Sequence, residues 1–112
     1  MNGLASQSEN IADNGGVREA YRAYRTYAAK HGRERRLPGL ERYSPEQIFF
    51  IAYAHIWCGK ETSERLSYQI KSGPHSPSRF RVLGPLSNSD DFVRLFGCPH
   101  GPMNRTKKCI LW

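Results

Sequence analysis

Glu9 and Asp13 are the first residues in this chain whose types and spacing could do chemistry. Four residues apart on a helix, two carboxylates face the same side. They can meet the positive helix N-terminus. They can bind a metal. They can also act as a ligand and its support, because a metal-bound histidine needs its free ring N–H held by a carboxylate. Spacing alone leaves all three open, and the first asks for nothing beyond a helix. The chain has four histidines, His31, His55, His75 and His100. None of them begins an H-E-x-x-H string, the pattern that sets two ligands and a base on one helical face. On its own, His75 reads as a surface histidine in a Gly/Pro-bounded loop, Arg81 as a solvated arginine and Trp57 as a core aromatic. Three cysteines, Cys58, Cys98 and Cys109, are an odd count. A domain that closes its own disulfides needs an even one. A Cys98–Cys109 bridge or a Cys98/His100/Cys109 metal site is conceivable, but that spacing fits no common zinc pattern.

Helices have to position these side chains. Ser8 to about His31 reads as one long helix, with Val17, Ala20, Tyr21, Tyr24 and Ala28 forming one apolar stripe. Gly15-Gly16 inside it suggests a close backbone contact, a kink, or two helices. Gly32 is the expected stop. Residues 32–43 form a basic connector around Pro38-Gly39. Ser44 is then an expected N-cap, with Pro45 as first helical residue. Ile48–Cys58 is apolar nearly all round, which predicts burial on most faces. Thr62 or Ser63 could cap a third helix to about Lys71. Gly73–Ser78 is a loop by composition. Phe80–Leu83 reads as a short extended segment ended by Gly84-Pro85. Ser89–Phe96 reads as a short capped helix stopped by Gly97, and the tail from Cys98 as loop.

Composition bounds the rest. A length of 112 residues suits one small domain. Aromatic residues at 12% argue against disorder. The longest apolar run, Ile48–Cys58, is far short of the ~20 residues a membrane helix needs. The first fourteen residues show no secretory signal. The net charge is +7, and Arg18–Arg42 holds eight basic and three acidic side chains. A basic run on a helix end is ordinarily a solvated face, so no nucleic-acid partner is expected.

The string Glu9-Asn10-Ile11-Ala12-Asp13-Asn14-Gly15-Gly16, preceded by Asn2-Gly3, closely resembles the third-ligand motif of the neprilysin and endothelin-converting-enzyme family of zinc metallopeptidases. The resemblance continues through Arg18–Tyr24, Leu37–Leu40, Phe49–Ala54 and Trp57-Cys58. It continues through His75-Ser76-Pro77, Phe80-Arg81-Val82 and Asn88-Ser89, and closes with Met103-Asn104 and Lys107–Trp112. Essentially the whole chain is covered, in order.

That resemblance implies a mainly α fold, the C-terminal portion of a thermolysin-like zinc peptidase lobe with short extended segments, over residues 1–112. It implies Zn2+ as cofactor and short peptides as substrates, on the extracellular or cell-surface side. Glu9 would be a zinc ligand and Asp13 would orient a zinc-bound histidine. His75 would stabilise the transition state, Arg81 would contact substrate and Asp13, and Trp57 would lie near a substrate pocket. Cys58, Cys98 and Cys109 would each bond to an upstream cysteine. The H-E-x-x-H helix and any membrane anchor would precede Met1, so the missing N-terminal part of the peptidase is an implied partner. The chain alone is then expected to be inactive. A short inactive interaction or decoy module is the alternative, and a basic nucleic-acid binder a remoter one. Ser78 departs from the glycine usual after His-Ser-Pro, which puts the loop carrying His75 in question. Asn104-Arg105-Thr106 has the form of a glycosylation acceptor.

Overall fold

The computed structural model of the protein describes residues 2–110. Leu111 and Trp112, which end the resemblance, lie outside them. Among the described residues there are five helices and no strand. The nearest thing to extended pairing is one isolated bridge between Gly101 and Asn104.

Helix α1, Gln7–His31, runs unbroken through Gly15-Gly16, so neither a kink nor a second helix is needed there. Its buried line is Gly15, Val17 and Tyr21. Ala20, expected in the stripe, is exposed. The helix stops at Gly32, whose φ of 90° few other residues adopt and whose N–H closes onto the Ala28 carbonyl.

Helix α2, Pro45–Ile56, starts as its sequence demands. The Ser44 hydroxyl accepts from the Gln47 N–H, and the Gln47 side chain accepts from the Ser44 N–H. The Gln47 amide also donates to the Leu95 carbonyl, which ties this cap to the fifth helix. The expectation of burial on most faces is corrected. Phe50 alone is fully covered, while Ile51 and Ile56 are 37% and 73% exposed. A chain of 112 residues has too few other segments to enclose an all-round apolar helix.

Helix α3, Ser63–Ser72, is capped by Thr62 and buries none of its residues. Helix α4, Ser78–Asn88, corrects the reading of Phe80–Leu83 as extended. Gly84 and Pro85 looked like terminators, yet the helix carries both. Ser78 is the first residue of α4, a position any residue adopts, so the departure from glycine places no strain on the loop before it. Helix α5, Asp90–Phe96, is capped by Ser89 and ended by Gly97 in the left-handed conformation.

Helix α1 packs on α4, and α5 packs on both α2 and α4. The core where they meet is Val17, Tyr21, Phe50 and Leu86. Aromatic rings carry it across three helices. Phe50 lies 4.8 Å from Tyr21 and 5.7 Å from Phe92 between ring centres. Tilted and edge-to-face pairs of this kind add roughly 0.5–1.5 kcal/mol each beyond area burial.

Candidate metal and substrate site

One face of α1 supplies the carboxylates. The other groups arrive from the end of α2, the loop between α3 and α4, and the first turn of α4. Arg81 of α4 forks onto Asp13, its Nε and Nη2 each 2.7 Å from a carboxylate oxygen. Both side chains are mostly buried, at 15% and 10% exposed. The same Nη2 lies 3.8 Å from Glu9 Oε2. His75 reaches that oxygen from the loop, with Nε2 at 3.0 Å, where a ring N–H donates to the carboxylate. Trp57, at the C-cap of α2, lays its ring under the Arg81 guanidinium at 4.0 Å from the ring centre. A guanidinium over an indole face is held by the ring quadrupole. So Glu9, Asp13, His75, Arg81 and Trp57, drawn from four separate stretches of sequence, come together around one arginine.

Several partners in this site were not read from the sequence. The Tyr53 hydroxyl donates to the Arg81 carbonyl at 2.7 Å. Pro85 is the reason that carbonyl is available. In an unbroken helix the N–H four residues on would occupy it, and proline has none. The position of Pro85 four residues after Arg81 was the available signal. The Ser76 hydroxyl donates to Asn10 Oδ1 at 2.8 Å, and Asn10 Nδ2 donates to the Ser6 hydroxyl at 3.2 Å. That chain pins the loop bearing His75 to the helix bearing Glu9. Ser6 and Ser76 are nearly fully buried, as satisfied hydroxyls are allowed to be. A similar bridge runs from Asn14 to Asn88 at 2.9 Å, and on to the Cys109 N–H at 3.2 Å. Asn10 and Asn14 share a helical face, but spacing cannot reveal partners more than sixty residues away.

The electrostatics follow from this packing. The hydrogen bonds that Asp13 accepts from Arg81 hold its guanidinium even more firmly protonated than usual. Tyr53 is pushed up to about 12, first by burial and then by the negative Asp13 beside it. Glu9 differs from Asp13 in access, since its side chain is 37% exposed. Glu9 is therefore the carboxylate that can meet something from outside.

A catalytic zinc needs three protein ligands and an open position. Among the described residues no three His, Cys, Asp or Glu side chains converge to hold a metal. The site as it stands does not fit a whole zinc centre; it offers one accessible carboxylate, Glu9, in a pre-ordered setting. The tail offers no substitute. Cys58, Cys98 and Cys109 are all free thiols, so the Cys98–Cys109 bridge is not formed. The Asn104 amide donates to the Cys98 carbonyl at 3.0 Å. No helix of the described residues is long and apolar enough to cross a membrane.

Comparison with known proteins places this geometry. Residues 1–111 match the sequence profile of Peptidase family M13. The whole chain aligns with Neprilysin-2 of Drosophila melanogaster at 56% identity, covering 14% of that protein. It aligns with Membrane metallo-endopeptidase-like 1 of Mus musculus at 48% identity, covering 15% of it. Among solved structures, 88% of the chain superposes on 17% of a chain of the Haemonchus galactose containing glycoprotein complex, with a TM-score of 0.83 and 44% identity. The chain thus spans about one seventh of the length of the curated relatives it matches.

Proposed function

The chain belongs to peptidase family M13, and from that premise we propose that it serves a zinc-dependent endopeptidase of short peptides as one part of the catalytic domain. The observation that carries this is the accessible Glu9 carboxylate, one helical turn from Asp13 and flanked by His75 and Arg81. Glu9 supplies one zinc ligand. The other ligands and the general base come from residues outside these 112, as do the cysteines that pair with Cys58, Cys98 and Cys109. Zinc, when bound, supplies a Lewis acid for peptide hydrolysis.

The residues of this chain have distinct duties. Asp13 has both oxygens on Arg81, yet a carboxylate offers about four acceptor positions. It therefore still has room for the N–H of a zinc-bound histidine. Arg81 uses Nε and Nη2 on Asp13, which leaves Nη1 for a substrate backbone carbonyl. Trp57 stiffens that arginine and borders the bound peptide. His75 donates its ring N–H to the oxyanion that forms on the scissile carbonyl, a contribution of roughly 3–4 kcal/mol for a well-placed donor. The domain faces the extracellular side, and the basic surface of α1 and its connector is solvated, with no nucleic-acid partner. A non-catalytic interaction module is the second reading.

The experiment is an exchange. This chain replaces the matching residues of Drosophila Neprilysin-2, and cleavage of a short fluorogenic peptide is followed. The proposal expects hydrolysis by the chimaera and none by the isolated chain, which should also fail to retain zinc against a chelating indicator. A folded chimaera without activity would favour the interaction module. Tight one-to-one zinc binding by the isolated chain would contradict the shared site.

A further inference from the structure

The connector between α1 and α2 has a feature that the peptidase reading leaves unused. Arg33-Glu34-Arg35-Arg36 sets basic side chains at the first, third and fourth positions of a tetrad. Residues 32–42 are all exposed, and 32–37 belong to no helix or turn. No backbone hydrogen bond ties residues 33–36; the nearest ones close α1 at Gly32 and begin a turn at the Leu37 carbonyl. The one side-chain tether is Arg36 Nη1 on the Glu41 carbonyl, at the exposed surface.

An endopeptidase binds several consecutive residues of its substrate as an extended strand, through backbone groups that must be unpaired, and takes alternate side chains into pockets. Exposed loops with free backbone meet that need, whereas helices do not. A pocket with an acidic floor selects a basic side chain next to the scissile bond. The other adjacent basic pair, Lys107-Lys108, is unsuited, because Lys108 is 9% exposed and bonded to Asp90.

We propose that the exposed, unpaired Arg33–Arg36 stretch is a limited-proteolysis site, cut after Arg36 by a serine endopeptidase with acidic pockets for Arg36, Arg35 and Arg33. The serine hydroxyl adds to the Arg36 carbonyl carbon, and the Arg36–Leu37 C–N bond breaks as Leu37 takes the proton to become a new amine. Water then hydrolyses the acyl-enzyme ester, which frees the serine and leaves a carboxylate on Arg36. The cut separates the helix bearing Glu9 and Asp13 from the segments bearing Trp57, His75 and Arg81. Noncovalent contacts alone then join the two halves of the site: packing, the Asp13–Arg81 fork, the His75–Glu9 contact, and the Ser76–Asn10 and Asn88–Asn14 hydrogen bonds. This inference does not rest on the assignment of zinc ligands.

The test uses the folded full chain and a soluble subtilisin-like endopeptidase specific for paired basic residues, with intact-mass spectrometry. The expected first products are 1–36 and 37–112. Arg36→Ala should abolish that cut. Arg33→Ala should slow it about tenfold or more, as loss of one charge-assisted contact predicts. The proposal is overturned if the native chain resists while the urea-unfolded chain is cut. Earlier cleavage at Lys107-Lys108 would also overturn it. So would an unchanged rate for Arg33→Ala, since the site would then be read only as a basic residue in a loop.

Discussion

The Tyr53 hydroxyl stands 2.7 Å from the Arg81 carbonyl, in the place where a helical N–H would have been had residue 85 not been proline. A side chain from α2 thereby repairs a defect in α4 and fixes the turn that carries the Arg81 guanidinium. Tyr53→Phe should cost about 1–2 kcal/mol in urea unfolding, because it leaves a half-buried carbonyl without a donor. In a Pro85→Ala background the amide at 85 returns, and the same substitution should cost clearly less. An equal penalty in both backgrounds would show that the hydroxyl does not compensate for the proline.

The Asp13–Arg81 fork joins residues 68 apart in sequence and is mostly buried. Removing one partner leaves the other charged in a poorly solvated place. Asp13→Asn should therefore destabilise the chain by about 2–3 kcal/mol. Arg81→Lys keeps the charge but loses the planar fork, so it should also be costly. A double-mutant cycle measured by chemical unfolding should give a coupling above about 1 kcal/mol. Additive effects would mean that the pair is incidental.

Alkaline titration probes the same packing. Tyr53 and Tyr21 are each pushed up to about 12, in both cases chiefly by burial. For Tyr21 the second cause is its hydrogen bond to Glu46. A folded value above the unfolded value of ~10 means that the neutral phenol is favoured in the native state. That stabilisation is complete below pH ~10 and is lost as pH rises through about 12. Phenolate absorbance of the native chain should rise in at least two stages, the later near pH 12. Tyr53→Phe should shrink the later stage. A single stage near pH 10 would place these hydroxyls in water.

Much of this arrangement could be read from local sequence, where local chemistry decides. Ser44, Thr62 and Ser89 were legible as caps because a hydroxyl before a helical run satisfies an orphan N–H wherever it occurs. The Glu9–Asp13 face was legible because helical spacing is fixed. Pro85 was misread because its usual effect is to end a helix, and the compensating hydroxyl lies more than thirty residues away. The exposure of Ile51 and Ile56 follows from chain length, since hydropathy states what a residue prefers, and 112 residues hold few segments that could cover a helix apolar nearly all round. The meeting of Glu9, His75 and Arg81 was legible only through resemblance, since the packing of α1 on α4 is a tertiary fact.

The most direct measurement is the zinc content of the chimaera in which this chain completes Drosophila Neprilysin-2, compared with its Glu9→Gln counterpart. The substitution keeps the size and the helical position of residue 9 but removes the anionic ligand oxygen. About one zinc per molecule is expected before the change, and a loss of metal affinity of at least about tenfold to a hundredfold after it. Asp13→Asn should weaken binding less. Undiminished zinc in the folded Glu9→Gln chimaera would contradict the assignment of Glu9 as a metal ligand.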